Sequence, residues 1–230
     1  MCKLKNIFLL IVLVLGLTPA AAYSQLGFYL DFGQDGSYES SYPMNVGETV
    51  VLDVYVSNVP EPGLKSMGFY LSYDELALQL DPAGTQVDGT TWPLRYDNHA
   101  VPGQLEMAGG RIINGIYGND IKLATITFTV LEEVEVNLWL SDRGDTVDDF
   151  VLADGAVIDS DLGTGVQLGS FITALPGDID GDGDIDGYDL ALLASQYNIC
   201  TNSCSADIDG DGDVDNDDLS ALSVNYGTIY

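Results

Sequence analysis

The sequence predicts a mainly β, two-sheet sandwich of jelly-roll type, followed by a small α unit built from two acidic loop–helix repeats. Three observations predict it. Between residues 25 and 173, short runs alternate apolar and polar residues with period two, separated by Gly, Pro, Asn and Asp clusters. From Asp178 a twelve-residue acidic stretch, "DIDGDGDIDGYD", recurs 29 residues later at Asp207 as "DIDGDGDVDNDD". After each copy, leucines recur at helical spacing.

Residues 1–24 read as a secretory signal peptide. Lys3 and Lys5 precede an apolar run from Ile7 to Leu17, and small residues offer cleavage after Ala22 or Ser24. The run is short for a membrane span, and no other segment could cross a membrane. Cys2 precedes the run, so it is not a lipid-bearing cysteine behind a cleavage site. Cleavage removes two lysines and no acids, leaving 5 basic against 36 acidic residues. Such a balance excludes nucleic acid as a partner, because phosphate binding needs a basic patch. A divalent cation is the natural counter-charge.

Residues 25–173 form the predicted sandwich. Val50, Leu52, Val54 and Val56 share one face of "TVVLDVYVS". Phe69, Leu71 and Tyr73 oppose Gly68, Tyr70, Ser72 and Asp74; Ala124, Ile126, Phe128 and Val130 oppose Leu123 and three threonines. Val134, Val136, Leu138 and Leu140 oppose Glu135, Asn137, Trp139 and Ser141. Strands with one apolar face are satisfied by two sheets packed face to face. His99 falls in a polar, turn-like stretch and is expected on the surface. No nucleophile motif is present, and the sandwich leaves little room for the two-carboxylate cleft of a glycosidase, so no catalytic residue is expected. Trp139, Tyr70 and Trp92 are the candidates for stacking on sugar rings.

Residues 174–230 form the second unit. Two unit charges about 5 Å apart repel by roughly 0.8 kcal/mol in water, so an acidic stretch this dense stays open unless neutralised. A twelve-residue calcium loop takes ligands from positions 1, 3, 5, 7, 9 and 12 and needs glycine at position 6. The first stretch supplies Asp178, Asp180, Asp182, the Asp184 carbonyl, Asp186 through a water, and Asp189, with Gly183 at position 6. The second supplies Asp207, Asp209, Asp211, the Asp213 carbonyl, Asp215 and Asp218, with Gly212 at position 6. Two calcium ions are therefore expected, and metal binding and folding become one equilibrium. Ile185 and Val214, at position 8, are expected to pair the two loops. Leu190, Leu193 and Tyr197, matched by Leu219, Leu222 and Tyr226, define one helical face each. Cys200 and Cys204 form an even pair in a secreted chain, expected as a disulfide.

Position 12 is Asp rather than Glu, and no helix precedes the first loop. In both respects "GDIDGDGDIDGYDLALLASQYN" and "ADIDGDGDVDNDDLSALSVNYG" closely resemble the repeats of a type I dockerin. That resemblance implies docking onto a cohesin domain of another protein. It also places partner choice on Gly187, Tyr188, Ala194 and Ser195 in one repeat and on Asn216, Asp217, Ser223 and Val224 in the other. Because the two faces differ, one dominant orientation through Tyr188 is expected. "VYVSNVPEPGLKSMGFYLSYDELALQL", "AGGRI", "KLATITFTVLEE" and "LADGAVID" resemble pieces of a cohesin domain, which implies a nine-stranded jelly roll and a dockerin as partner of the sandwich. Together the resemblances imply a secreted, non-catalytic adaptor of a cellulosome-type assembly linked to polysaccharide degradation. The alternative is a carbohydrate-binding sandwich attached through a dockerin.

Overall fold

The computed structural model describes residues 25–144, 147–159, 162, 165–173, 175–199 and 204–229. The predicted signal peptide and Cys200 lie outside these residues.

Two sheets pack face to face. The first runs β1 (Gly27–Phe32), β3 (Thr49–Ser57), β10 (Ile121–Val130), β5 (Leu78–Leu80), with β6 (Gln86–Val87) also on β10. The second runs β2 (Ser41–Met44), β13 (Val166–Thr173), β11 (Val136–Ser141), β4 (Val59–Ser72), β8 (Gln104–Gly110), β7 (Leu94–Val101). β9 (Ile116–Gly118) and β12 (Val151–Leu152) pair with the first half of β4. Thirteen strands therefore form among the described residues, where the resemblance implied nine. β4 is 14 residues long and outruns its main partners, so short pieces fill its free edges. All the interstrand pairs are antiparallel except β2 with β13.

The alternating residues meet between the sheets. Val50, Leu52, Val54, Val56, Phe69, Leu71, Ala124, Ile126, Phe128, Leu138 and Leu140 are all buried. Phe128 of the first sheet meets Phe171 of the second edge to face at 6.1 Å. Two predicted details differ. Leu123, expected outside, is buried beside Ala124, because a bulge between Lys122 and Ala124 turns two successive side chains inward. Val134 is exposed, because β11 starts only at Val136.

Leu175 leaves the sandwich and packs with Ile179 against a second, separate core of Ile185, Leu193, Ala206, Val214 and Leu222. Two helices surround this core, α1 (Gly187–Gln196) and α2 (Asn216–Asn225). Leu193 and Leu222 carry their buried faces, whereas Leu190, Leu219 and Tyr226 are more than a third exposed. A helix of ten residues against so small a core buries one leucine, besides the aspartate of its first turn.

Candidate functional site

The acidic loops end where the helices begin, and the same aspartates serve both. Asp186 is the N-cap of α1 and accepts from Tyr188 N at 2.6 Å, while Asp189 accepts from Asp186 N at 2.8 Å, completing a capping box. Asp215 and Asp218 do the same for α2. Asp189 also accepts from Ile179 N (2.6 Å) and Asp180 N (3.3 Å), tying the end of the loop to its start. Asp178 receives Gly181 N and Gly183 N; Asp180 receives Asp182 N; Asp182 receives Asp184 N. Each of these bonds recurs 29 residues later, on Asp218, Asp207, Asp209 and Asp211.

This folding gathers the carboxylates predicted at positions 1, 3 and 12. Ligand oxygens of Asp178, Asp180 and Asp189 lie within 4.8 Å of one another, and so do those of Asp207, Asp209 and Asp218. Gly183 (φ +92°) and Gly212 (φ +102°) make the turn at position 6 in the left-handed region. The Asp184 side chain turns inward beside Asp186 and Asp189, with Oδ1 buried and lacking a hydrogen-bond partner.

Crowding shows in the proton affinities. Desolvation and then neighbouring acids hold Asp184 above the usual carboxylate value, and repulsion from Asp211 does so for Asp213. Asp178 and Asp180 are raised by desolvation against their N–H bonds. The Asp211 N–H pulls Asp209 down, yet desolvation and neighbouring charges leave it raised. Asp218 is lowered: burial pushes it up, but N–H groups of Asp215, Asp209 and Ile208 outweigh that.

The position-8 residues do not pair with each other. Ile185 N donates to Thr228 O (2.9 Å) and its carbonyl accepts from Gly227 N (2.7 Å), while Val214 O accepts from Asn198 N (2.8 Å). Each loop is thus strapped by the chain leaving the other repeat's helix, and only the side chains meet in the shared core. Tyr197 OH donates to Asn216 Oδ1 at 2.8 Å, so Asn216 is engaged across the repeats. The other proposed contact residues, Gly187, Tyr188, Ala194, Ser195, Asp217, Ser223 and Val224, are exposed. Cys204 is disulfide-bonded; its expected partner, Cys200, lies outside the described residues.

On the sandwich, Trp92 is fully buried. It packs over Gly109, where a Cβ would meet its ring at 2.8 Å, and donates to the Lys122 carbonyl. It cannot stack on a sugar. Trp139 faces outward, as its alternation predicts, and is 43% exposed. His99 sits in strand β7 rather than in a turn, half-buried, 3.2 Å from Asp97.

Sequence reasoning missed the outer face around Gly68. Arg143 fills the space above that glycine, bonded to the fully buried Asp149 (Nε to Oδ1, 2.6 Å) and 3.7 Å from Glu106. No periodic pattern marks these residues, since Arg143 and Asp149 lie beyond the end of β11.

A family model described as the cohesin domain matches residues 40–161, more than half of the chain. A type III cohesin module from the cellulosomal ScaE cell-surface anchoring scaffoldin of Ruminococcus flavefaciens superposes with a TM-score of 0.50 at 13% identity, covering 65% of this chain and 88% of that one. The sixth cohesin from scaffoldin B of Acetivibrio cellulolyticus, solved in complex with a Cel5 dockerin mutant, gives 0.47 at 14% identity, covering 64% and 99%. The second type II cohesin module of the cellulosomal adaptor ScaA scaffoldin of Acetivibrio cellulolyticus gives 0.47 at 15%, covering 67% and 99%. No curated protein matches the chain. The matched segment spans β2 to β12, strands of both sheets, and on that match the chain belongs to the cohesin family.

Proposed function

We propose that the chain is a secreted, non-catalytic adaptor with two docking activities. Its cohesin domain takes a dockerin-type module, and residues 174–230 act as a type I dockerin-like module that docks calcium-dependently onto a cohesin of another protein. The leader, residues 1–24, is removed on export. Such an adaptor belongs in an extracellular, cellulosome-type assembly linked to polysaccharide degradation.

The observation that carries this reading is the doubled loop: the same carboxylates gathered by the same hydrogen bonds, 29 residues apart. The residues fit calcium. All the side-chain donors are hard oxygens, each position 6 is a glycine, and the buried Oδ1 of Asp184 lacks a protein partner. Bound calcium would supply the charge that offsets the mutual repulsion of these acids. Asp178, Asp180, Asp182, Asp186 and Asp189, with the Asp184 carbonyl, would hold one ion; Asp207, Asp209, Asp211, Asp215 and Asp218, with the Asp213 carbonyl, the other. Tyr188, 68% exposed, offers the larger apolar anchor of the two repeat faces and directs one dominant orientation.

Calorimetry and circular dichroism of the full chain test this. Two calcium equivalents should bind, and excess chelator should remove the helical signal while the strand signal stays. Asp178→Ala and Asp207→Ala should each remove one equivalent. An unchanged helical signal in chelator at neutral pH would overturn the reading. The second reading, a glycan-binding sandwich, rests on exposed Trp139; retention of the chain on an insoluble polysaccharide, lost in Trp139→Ala, would favour it.

A further inference from the structure

Residues 25–230 carry only five cations: Lys65, Arg95, Arg111, Lys122 and Arg143. Lys122 is spent on Asp53 at 2.5 Å, and Arg143 on Asp149 and Glu106. Among the described residues, Lys65, Arg95 and Arg111 pair with no carboxylate. These three converge. Lys65 precedes Ser66, which pairs with Gly110; Arg95 pairs with Gly109; Arg111 follows Gly110 and its N–H donates to the Lys65 carbonyl. Around them, Leu94 (56%), Tyr96 (50%), Ile112 (70%) and Ile113 (74%) are exposed. One end of the β4–β8–β7 sheet is thus a cationic, apolar pole on a chain whose formal net charge is −29. Apolar side chains with arginine are the composition of a docking surface.

The chain carries its own complement. Residues 175–230 hold 13 aspartates and no Lys, Arg or Glu. Two calcium ions would leave this unit strongly negative, with Tyr188, Leu190 and Val224 exposed on it. It cannot reach the pole of its own sandwich. β13 ends at Thr173 beside the start of β11 (Phe171 pairs with Val136), and the pole lies beyond the far end of β11, where Ser141 pairs with Tyr70 and β4 continues back to Ser66. That is about ten residues of strand, roughly 30 Å. Only Ala174 separates Thr173 from Leu175, which already packs in the second core.

We propose that this pole docks the C-terminal loop–helix unit of a second copy, so that copies join head to tail. The proposal rests on the reading of that unit as a calcium-loaded docking module. The contact is heterologous, so it propagates as open chains or closes as rings, not as an isologous dimer. Opposite charge at the contact makes it salt-sensitive.

Sedimentation of the full chain tests it. In calcium at low salt, mass should rise with concentration beyond a dimer; chelator or high salt should return it to monomer. Lys65→Glu/Arg95→Glu, which changes only exposed side chains, should weaken assembly by about tenfold or more. Asp178→Ala/Asp207→Ala should do the same through the other end. The decisive arm mixes these two double variants. One keeps an intact tail and the other an intact head, so the mixture should form a one-to-one complex although neither assembles alone. A chain that stays monomeric while calorimetry still shows two bound calcium ions overturns the homotypic contact and leaves the calcium reading standing. A monomer that binds no calcium overturns both. Assembly in calcium that ignores the Lys65→Glu/Arg95→Glu change overturns the assignment of the pole.

Discussion

Arg143 fills the space above Gly68 on the outer face of β4, and Asp149 receives both its backbone N–H and its Nε. The Asp149 side chain is fully buried and that of Arg143 only 15% exposed, so neither charge is well hydrated without the other. Removing one member of such a pair strands the survivor, at about 3 kcal/mol. Asp149→Ala should therefore lower the unfolding free energy of the sandwich, read by urea denaturation, by that amount. Gly68→Ala should destabilise for a different reason, because its Cβ would overlap the guanidinium; displacement costs about 1–3 kcal/mol. A loss below about 0.5 kcal/mol for Asp149→Ala, the range of an ordinary surface change, would show that water already screens the pair. Neither residue stands out in the sequence. Gly68 fits the polar side of an alternating strand, and only the register against Ala108 and the return of the chain after β11 bring Arg143 above it.

Elements whose partners are near in sequence were legible, and those completed from far away were not. The alternation of β3 identified Val50, Leu52, Val54 and Val56 as core because period two is a property of one strand alone. The bulge that buries Leu123 depends on how β10 meets β3, and the pattern could not contain it. The loops show the same division. The carboxylates at positions 1, 3 and 12 lie together because one loop's own turns gather them, a local arrangement that spacing can express. The straps escaped prediction because Ile185 bonds to Gly227 and Thr228, about forty residues away, while Val214 bonds to Asn198. Among the described residues the straps are unequal: two hydrogen bonds hold Ile185 and one holds Val214. Deleting residues 227–230 should therefore weaken calcium binding at the first loop by about tenfold, the effect of roughly 1.4 kcal/mol from two lost bonds of modest net worth. The second loop should change little. Calorimetry that finds both sites weakened equally, or neither, would show that the straps do not support individual loops.

At the scale of the whole molecule, two cores of unequal size share one chain. The sandwich core extends from Leu30 to Phe171 and, among the described residues, includes every large, fully buried aromatic side chain. Among the described residues the second core has five buried residues, and a unit of about 50 residues is marginal without metal or disulfide support. The cores share no residue, so their stabilities should be separable. A ligand bound only by the folded form of one unit stabilises that unit alone, by about 2.7 kcal/mol per site at one hundred times its dissociation constant. Scanning calorimetry should accordingly show two transitions, of which calcium raises only the smaller. Reductant should lower that same transition, because Cys204 is disulfide-bonded beside the second core. The measurement is best made in the Lys65→Glu/Arg95→Glu background, where assembly between copies does not add its own heat. The sandwich midpoint should then be the same in calcium and in chelator. A single transition that moves as a whole with calcium would mean that the ions stabilise the sandwich as well. The short connection at Ala174 would then join two halves of one cooperative body, and docking at either end could be felt at the other.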